Sequence, residues 1–524
     1  MTWFRSAIRN GFDRAERGLD RAFGPDWNPL AQLGPIGWFL FWIVAGTGIY
    51  LFIFFDTGVH AAYASVEWLT NDQWWHAGLT RSLHRYASDL MVLVMFTHLL
   101  REWAMDRYRG KRWFSWLTGV MLIWFVYLSG ITGYWLVWDK LAQYVALTTT
   151  ELLDTLGIFA EPIARNFLSP QALSSRFFTL MVFLHIAIPL LLLLLMWIHI
   201  QRITEARTKP PRGLGVIALG ALIAGSLIVP ATSQGPADLA TVPQRVGIDW
   251  WLLSLYPVIE SVPAGAIWAG VVAFTLLLAG LPWLPRRREG GAAQVFLDHC
   301  NGCSRCVADC PYAAITLVPR SDGLPFTHEV EVNAARCVAC GICMGSCPSS
   351  TPFRRSGELI TGIDLPDRPL AALRTEVIEA AAAMDGASGR ILTLACAHGA
   401  AADPAPGRVV MPCVAMAPPS LVDYIISRGL ADGVAVAGCA ERDCYNRFGV
   451  AWTRARFERT RDPYLRARVP RERVQTIWAG PSETPRLARE LADFSTRLAA
   501  LPAYDKVRPL AEDEGTETGR EAAQ

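Results

Sequence analysis

The sequence predicts a multi-domain protein: an all-α membrane bundle of six transmembrane helices, then a cysteine-rich α+β domain and a small α/β domain. Three observations support this prediction. At 524 residues the chain is too long for one domain. Its N-terminal part contains six apolar runs of about twenty residues or more, the length that a bilayer requires. All twelve cysteines follow residue 299, whereas six of the nine histidines precede residue 200.

The first element is an N-terminal segment, residues 1–30, that precedes the apolar runs. Its arginines recur at helical spacing between Trp, Phe, Ile and Leu residues, which is typical of an amphipathic helix on a membrane surface. An exposed helix without a membrane role is the alternative. The segment has neither the apolar core nor the cleavage site of a secretory signal. The six predicted spans follow at residues 34–55, 83–104, 114–138, 177–200, 213–233 and 264–284.

The charges of the loops predict the orientation of these spans. The loops after the second, fourth and sixth spans carry at least three Lys or Arg residues each, within 107–112, 202–212 and 286–288. Residues 56–80, after the first span, carry none. Basic loops stay in the cytoplasm, so both termini are predicted to be cytoplasmic. The loop between the fifth and sixth spans then faces outward.

Four histidines lie on two of the spans in matching register. His84 and His98 are fourteen residues apart on the second span, and His185 and His199 are fourteen apart on the fourth. Fourteen residues are nearly four turns, so each pair shares one helix face, about 21 Å apart along the axis. Imidazole inside a bilayer is costly and usually functional. The pattern predicts two stacked planar iron macrocycles, each between two histidines. A single such histidine would instead suggest a satisfied core residue or a proton relay.

Residues 1–288 resemble the cytochrome b of quinol-oxidising complexes. The second span reads "RSLHRYASDLMVLVMFTHLLR", the fourth reads "HIAIPLLLLLLMWIHI", and the end of the third reads "GITGYWLVWDK". The resemblance implies one heme b near the outer face on His84 and His185. It implies a second heme b near the cytoplasm on His98 and His199.

Further residues match this family. Its two glycine pairs correspond to Gly34 with Gly48 and to Gly119 with Gly133. Glycine there lets the flat macrocycle approach the backbone. Arg81 matches the arginine that neutralises a heme propionate in the family. Val137 departs from the pattern, because the family has proline there.

The outer loop "PADLATVPQRVGIDWWLLSLYP" aligns with the family loop that contains proline, glutamate, tryptophan and tyrosine in a row. The resemblance implies that Asp249, beside Trp250, accepts a proton from quinol at an outer quinone site. Ile248 and Trp251 do not match. We expect the pKa of a carboxylate walled by aromatic rings to be raised. Alternatively, Asp249 caps a surface helix and the tryptophans belong to an interfacial belt.

The next domain contains the pattern C-x2-C-x2-C-x3-C-P twice, the two-cluster bacterial ferredoxin pattern. In this pattern the fourth cysteine of each run serves the other cluster. One 4Fe-4S cluster is therefore predicted on Cys300, Cys303, Cys306 and Cys347. The other is predicted on Cys337, Cys340, Cys343 and Cys310. Structural zinc is the alternative, which the doubled motif disfavours.

The last domain alternates predicted strands with predicted helices, as in a small α/β layer. Four cysteines follow predicted strands and share one edge of a parallel sheet: Cys396, Cys413, Cys439 and Cys444. Their chemistry alone leaves zinc and iron–sulfur open. The stretch resembles the iron–sulfur delta subunit of methyl-viologen-reducing hydrogenase. The resemblance implies a 2Fe-2S cluster and docking to a flavoprotein or an iron–sulfur oxidoreductase, either heterodisulfide-reductase-like or a dehydrogenase. Zinc or a disulfide is the alternative.

These features divide the chain into six segments. They are a surface helix at 1–30, a cytochrome b-like membrane domain at 31–288, a two-cluster 4Fe-4S ferredoxin domain at 289–355, a linker at 356–390, a delta-subunit-like 2Fe-2S domain at 391–505 and a disordered acidic tail at 506–524.

The whole predicts electron transfer between the quinone pool and a cytoplasmic redox enzyme, in a bacterial inner membrane. The alternative is a non-catalytic conduit and anchor subunit of a larger complex. The two-part Rieske motif, C-x-H followed by C-x2-H, does not occur, so splitting the two electrons of quinol would need another subunit. A basic stripe with interleaved aromatic residues does not occur either, which argues against nucleic acid as a partner. A homodimer is compatible with this prediction.

Overall fold

A computed structural model describes residues 2–504 except 159–160, 164, 166–167, 169–172, 244, 285–289, 351–360 and 385–387. The predicted tail and part of the predicted linker lie outside the described residues. The chain forms two compact units. The first comprises Met1–Gln201 and Ala206–Arg286, and the second comprises Arg202–Glu205 and Arg287–Gln524.

The first unit is helical. Its helices are α1 (Thr2–Phe23), α2 (Leu33–Phe54), α3 (Ala61–Asn71), α4 (Leu79–Ala104), α5 (Trp113–Val137), α6 (Lys140–Asp154), α7 (Ser175–Ile200), α8 (Arg212–Ile228), α9 (Tyr256–Ser261) and α10 (Ala264–Gly280). The helix α2 packs along α4, and α5 packs along α7. Buried apolar side chains from all four helices form the core of the bundle.

Among the described residues, four segments of this unit are long and apolar enough to cross a membrane: Pro29–Phe54, Gly110–Val137, Ser175–Ile200 and Ala264–Trp283. The two other predicted spans are also helical. The helix α4 has 26 residues but is less apolar, because it carries the two histidines and several charges. The helix α8 has 17 residues and ends at Ile228, five residues before the predicted end of the span. A count of six spans therefore stays a prediction.

The predicted amphipathic helix is present as α1, and ion pairs attach it to the end of α4. Glu16 accepts a 2.8 Å hydrogen bond from Arg101, and both side chains are buried. Arg5 pairs with Asp106, just beyond the end of α4. This helix therefore has a defined place in the unit in addition to its amphipathic face.

The second unit contains both cysteine-rich domains. Its strands are β1 (Gln294–Val295), β2 (Ile315–Pro319), β3 (His328–Val332), β4 (Ile363–Asp364), β5 (Ile391–Cys396), β6 (Arg408–Met411), β7 (Gly433–Gly438) and β8 (Val474–Trp478). Its helices are α11 (Arg305–Asp309), α12 (Ile342–Ser346), α13 (Leu370–Ala382), α14 (Pro419–Ser427), α15 (Gly449–Phe457) and α16 (Thr484–Ala499). The strands β2 and β3 pair antiparallel, and β6-β5-β7-β8 form a parallel sheet in that order.

The helix α13 lies in the region predicted to be a helical linker, and it packs onto the neighbouring sheet. Its residues Leu370, Leu373 and Val377 are fully buried, and it packs against β5 and β6. Burying an apolar helix face against a sheet stabilises both elements. The helix therefore belongs to the α/β layer.

The two cysteine-rich domains share one continuous core. A Cβ atom on Gly345 of α12 would lie 1.9 Å from the carbonyl oxygen of Ala415, so only glycine permits this approach. The Tyr312 hydroxyl donates a 2.9 Å hydrogen bond to Asn446, and both residues are buried. The segment Arg202–Glu205 also packs here, and Thr204 donates a 2.9 Å hydrogen bond to the carbonyl of Cys310.

Candidate functional site

The histidine pair that is predicted to lie near the outer face, His84 on α4 and His185 on α7, meets inside the bundle with ring centroids 6.2 Å apart. Backbone carbonyls hold the Nδ1 atom of each ring: Val44 at 3.0 Å for His84 and Ser129 at 3.1 Å for His185. Because a carbonyl only accepts, each Nδ1 carries the proton. Each Nε2 is then left with a free lone pair, which is the form that binds a metal.

Threonine hydroxyls support these rings, a feature that the sequence predictions missed. Thr47 lies 3.1 Å from Nδ1 of His84, Thr132 lies 3.2 Å from that of His185, and Thr118 lies 3.0 Å from that of His199. Each of these threonines directly precedes one of the predicted glycines. A Thr-Gly dipeptide repeated at the glycine positions was the signal available in the sequence. The fourth glycine, Gly34, follows Leu33 instead.

Three of the four predicted glycines lie against imidazole rings. A Cβ atom would lie 3.0 Å from Cε1 of His84 at Gly48, 2.8 Å from Cε1 of His185 at Gly133, and 3.3 Å from Cε1 of His199 at Gly119. Real Cβ contacts are almost never shorter than 3.0 Å, so a side chain at Gly133 would displace the ring of His185, whereas one at Gly48 would crowd the ring of His84. Gly34 has open space around the Cβ position.

The inner pair is His98 on α4 and His199 on α7, which lie close enough to interact electrostatically. The His199 ring makes hydrogen bonds with the backbone of Ser115 and with the Thr118 hydroxyl. Around His98 lie the charges of Arg101, Glu102 and Arg107. The two pairs therefore form two tiers of imidazole, and the Nδ1 contacts at three of the four rings leave the Nε2 atoms of those rings available to a heme iron.

The predicted propionate ligand, Arg81, lies in the first turn of α4, two positions after its start. Its guanidinium donates to the Thr70 hydroxyl and, at 2.9 Å, to the Ser233 hydroxyl. Glu67 lies 3.7 Å away. The cation is therefore held by polar groups from α3 and from the loop after α8.

Asp249 lies in the loop between α8 and α9, and its side chain is buried, with 6% exposed. The Tyr134 hydroxyl donates to its Oδ2, the Trp251 amide donates to its Oδ1 at 2.9 Å, and Arg85 lies 4.0 Å away. The side chains of Trp250 and Trp251 are 68% and 58% exposed. The aromatic neighbour of this carboxyl is therefore Tyr134.

The pKa predicted for Asp249 is corrected by these contacts. Burial alone raises the pKa of its carboxyl, but hydrogen bonds from the Tyr134 hydroxyl and the Trp251 amide, with Arg85 nearby, hold the pKa below its usual value. Hydrogen bonds to the charged form outweigh desolvation here. Asp249 is thus a base at neutral pH.

The first predicted 4Fe-4S set lines one cavity. Cys300, Cys303, Cys306 and Cys347 surround it together with His299. Three of these cysteines are buried and Cys303 is exposed. Cys347 is close enough to Cys306 to influence its ionisation, so the fourth cysteine of the second motif joins the first three of the other.

The second predicted 4Fe-4S set is also brought together, because Cys340 interacts with Cys310 and Cys337 and lies beside Cys343. Backbone amides donate to the sulfur atoms, Ala293 to Cys337 at 3.5 Å and Ala314 to Cys310 at 3.4 Å. Donors aimed at sulfur stabilise a thiolate, which is the form that binds iron. The residues in both sets therefore fit the clusters.

Without iron these thiols make the second unit sensitive to alkali. Burial raises the pKa of Cys306 and of Cys340 to about 12, from an ordinary value of about 9. A raised pKa in the folded state gives stability that is complete below pH 9 and is lost as pH rises toward 12. We expect the free energy of unfolding of iron-free protein to fall by several kcal/mol over that range, as measured by urea unfolding. A flat profile would contradict burial of these thiols.

The third cysteine set lies at one edge of the parallel sheet. Cys396 ends β5 and its sulfur is 3.4 Å from that of Cys439, which follows β7. Cys413 and Cys444 are also buried beside them, and Cys413 interacts with Cys340 of the neighbouring set. Among the described residues, no three His, Cys, Asp or Glu side chains have the geometry of a preformed single-ion site.

Comparisons with known proteins match three parts of the chain. Residues 24–207 match the family cytochrome b/b6, residues 299–351 match the 4Fe-4S dicluster domain, and residues 388–502 match the delta subunit of methyl-viologen-reducing hydrogenase.

Individual relatives match the N-terminal part. Cytochrome b of Allochromatium vinosum is 23% identical over 290 residues, covering 46% of this chain and 69% of that protein. Cytochrome b of Acanthamoeba castellanii is 23% identical over 299 residues, covering 51% and 76%. A solved hyperthermophilic respiratory Complex III is similar with a TM-score of 0.37 at 21% identity, covering 48% of this chain and 74% of that one.

These matches and the fold identify the parts of the chain. A cytochrome b/b6 domain with several membrane-capable helices is followed by a 4Fe-4S dicluster domain and a hydrogenase delta-subunit domain. The protein is a multi-pass membrane protein with a role in electron transfer, and its domains imply heme b and 4Fe-4S clusters.

Proposed function

We propose that this chain transfers electrons between the quinone pool and a cytoplasmic redox enzyme across a bacterial inner membrane. The proposed route contains two b hemes, two 4Fe-4S clusters and one 2Fe-2S cluster. These cofactors would supply one-electron carriers at successive positions. The protein would supply their ligands, their spacing and the protonation site for the quinone.

The observation that carries the proposal is the arrangement of the imidazoles in two tiers, in which Nδ1 is held at three of the four rings and leaves Nε2 of those rings available to a metal. We assign His84 and His185 to the outer heme, His98 and His199 to the inner heme. The glycines Gly48, Gly119 and Gly133 keep side chains away from the rings. Arg81 would neutralise a propionate of the outer heme in exchange for its present hydroxyl partners.

The cysteine sets support a linear order within the second unit. Cys306 of the first set interacts with Cys343 of the second, and Cys340 of the second interacts with Cys413 of the third. We assign 4Fe-4S clusters to the first two sets and a 2Fe-2S cluster to the third. A cytoplasmic flavoprotein or iron–sulfur oxidoreductase would exchange electrons with this unit.

We assign the outer quinone site to the region of Asp249. Its carboxylate is buried beside the Tyr134 hydroxyl and Arg85, so it is oriented and ionised to accept a proton from a quinol hydroxyl. The short aspartate side chain is fixed by the Trp251 amide. In this proposal Trp250 lies at the rim of the site, because its ring is exposed.

Replacing Asp249 by Asn tests this assignment. We expect quinol oxidation by the purified protein to fall about 100-fold or more, because general-base catalysis by one positioned group contributes that much. Asp72→Asn is the matched control, since Asp72 is an exposed residue of the same unit. Turnover is measured with a quinol analogue and an artificial acceptor, and heme spectra report folding. Unchanged turnover in Asp249→Asn with intact heme spectra would exclude the site.

A conduit without its own quinone chemistry is the second candidate. The exposed ring of Trp250 and the departures at Val137, Ile248 and Trp251 favour it. In that case neither the unmodified protein nor either variant would oxidise quinol, whereas all three would pass electrons from the clusters to the hemes.

A further inference from the structure

A buried arginine of the second unit lies among the cysteine sets without being one of their predicted ligands. Arg456 on α15 is 1% exposed. Its guanidinium donates to the Asp309 carboxylate and, at 3.0 Å, to the carbonyl of Ala415. A Cβ atom on Gly345 would lie 2.7 Å from its Nη1 atom. Burying a cation is costly, so groups of opposite charge are expected close to it.

The three residues that contact this guanidinium lie within two positions of predicted cluster ligands. Those ligands are Cys310 and Cys343 of the second set, Cys347 of the first set and Cys413 of the third set. The second and third sets also meet here, because Cys340 packs against the buried cluster that contains Cys413. We therefore place the guanidinium beside the second and third sets.

The charges around this guanidinium, thiols apart, leave one positive charge in excess. Asp309 also accepts a 2.7 Å hydrogen bond from Arg461, whose Cζ lies 3.6 Å from the centre of the Trp452 ring, so one carboxylate faces two arginines. The Nε atom of Arg456 is buried too, and it has no hydrogen-bond partner among the described residues. A buried donor without an acceptor is unfavourable. An anionic group beside Arg456 would compensate the excess charge.

An iron–sulfur cluster held by four thiolates is such an anion. Its negative charge increases by one when it gains an electron, so a fixed cation stabilises the reduced state more than the oxidised state. Net charge and burial are among the properties that set the reduction potential of a cluster. The effect of the cation is strong inside the protein, where the dielectric constant is low. Arginine also stays protonated at all ordinary pH values, so this charge is permanent.

We propose that Arg456 is a redox-tuning cation that raises the reduction potentials of the clusters assigned to the second and third cysteine sets. The proposal rests on the cluster assignment in the proposed function. When one electron passes between these two clusters, one is oxidised and the other is reduced, and Arg456 neither gains nor loses a proton. Because the cation adjoins both sets, it stabilises the transferred electron on either cluster.

Redox titration of the whole protein in detergent, followed by electron paramagnetic resonance, tests this role. We expect Arg456→Met to make reduction of a 4Fe-4S cluster and of the 2Fe-2S cluster about tenfold less favourable, which lowers each potential by about 59 mV for one electron. Arg456→Lys keeps the charge and should keep potentials close to those of the unmodified protein. The control is Arg486→Met, because Arg486 lies on α16, is 47% exposed and pairs with Glu483 and Glu490. Its potentials should be unchanged.

Asp309→Asn separates an electrostatic role from a structural one. It breaks the same ion pair as Arg456→Met but removes a negative charge, so we expect it to raise the potentials. A purely structural role would move the potentials in the same direction in both variants. Lower potentials in both variants, or unchanged potentials in both, would overturn the proposal. If Arg456→Met does not assemble its clusters, unchanged or lower potentials in Asp309→Asn overturn it alone.

The same titration keeps this proposal apart from the proposed function. Absence of a 2Fe-2S signal in the unmodified protein would refute the assignment of the third set, and with it that part of the proposed function. The 4Fe-4S potentials of the variants then decide the role of Arg456 by themselves.

Discussion

Replacing His84 by Ala is expected to remove one of the two proposed hemes and to stop electron transfer across the membrane unit. His84 and His185 would share one iron, and a bis-histidine site cannot keep its coordination when one imidazole is lost. The variant leaves His98 and His199 unchanged, so the heme that we assign to this second pair should remain. Heme extraction should find one heme per chain, and a redox titration should show a single b-type transition.

The matched control for this variant is His76→Ala. His76 lies about two turns before His84 and bonds the Tyr50 hydroxyl at 2.6 Å, and its side-chain hydrogen bonds within the described residues go to Tyr50 and Gln73. Both hemes should be present in this control. Two hemes in His84→Ala, or the loss of both hemes in His76→Ala, would contradict the assignment of the outer pair.

Replacing Asp309 by Asn is expected to destabilise the second unit by about 3–5 kcal/mol, the cost of leaving a buried charge unpaired. Asp309 ends α11 and pairs with Arg456 and Arg461. Arg456 is 1% exposed and also donates a 3.0 Å hydrogen bond to the Ala415 carbonyl. Denaturant unfolding of the whole protein, followed by the visible absorbance of the clusters, measures the change.

Asp462→Asn provides the comparison. Asp462 pairs with Arg305 at 3.0 Å, but both side chains are more than one-third exposed. Exposed ion pairs contribute about 0–1 kcal/mol, so this variant should unfold close to the unmodified protein. Equal losses of stability in the two variants would show that burial does not determine the strength of the Asp309 network.

Much of the fold and of the candidate site follows from local patterns. The cysteine spacing predicted which residues would meet, and the structure brings each of the three sets together. The fourteen-residue spacing predicted two tiers of histidine on α4 and α7. These predictions depend on local spacing, because the cysteines of one ferredoxin motif lie on one short segment and the two histidines of each span lie on one helix.

Other features depend on contacts between distant elements. The carbonyls of Val44 and Ser129 reach the histidines only after helices have packed side by side. The direction of Asp249 is set by how the outer loop folds onto Tyr134, so its low pKa could not be predicted from the neighbouring tryptophans. The packing of α13 was missed because the sequence of this helix does not show that its apolar face packs against β5 and β6, which lie later in the chain.

The common interior of the two cysteine-rich domains limits how this protein could be taken apart or recombined. A fragment ending before Ile363 or beginning at Ile391 would expose side chains such as Met344 and Met416, which are now fully buried. The ferredoxin part and the delta-subunit part therefore cannot be exchanged as independent cassettes. A gene rearrangement that brings a new electron partner to this membrane protein would have to retain or replace them together.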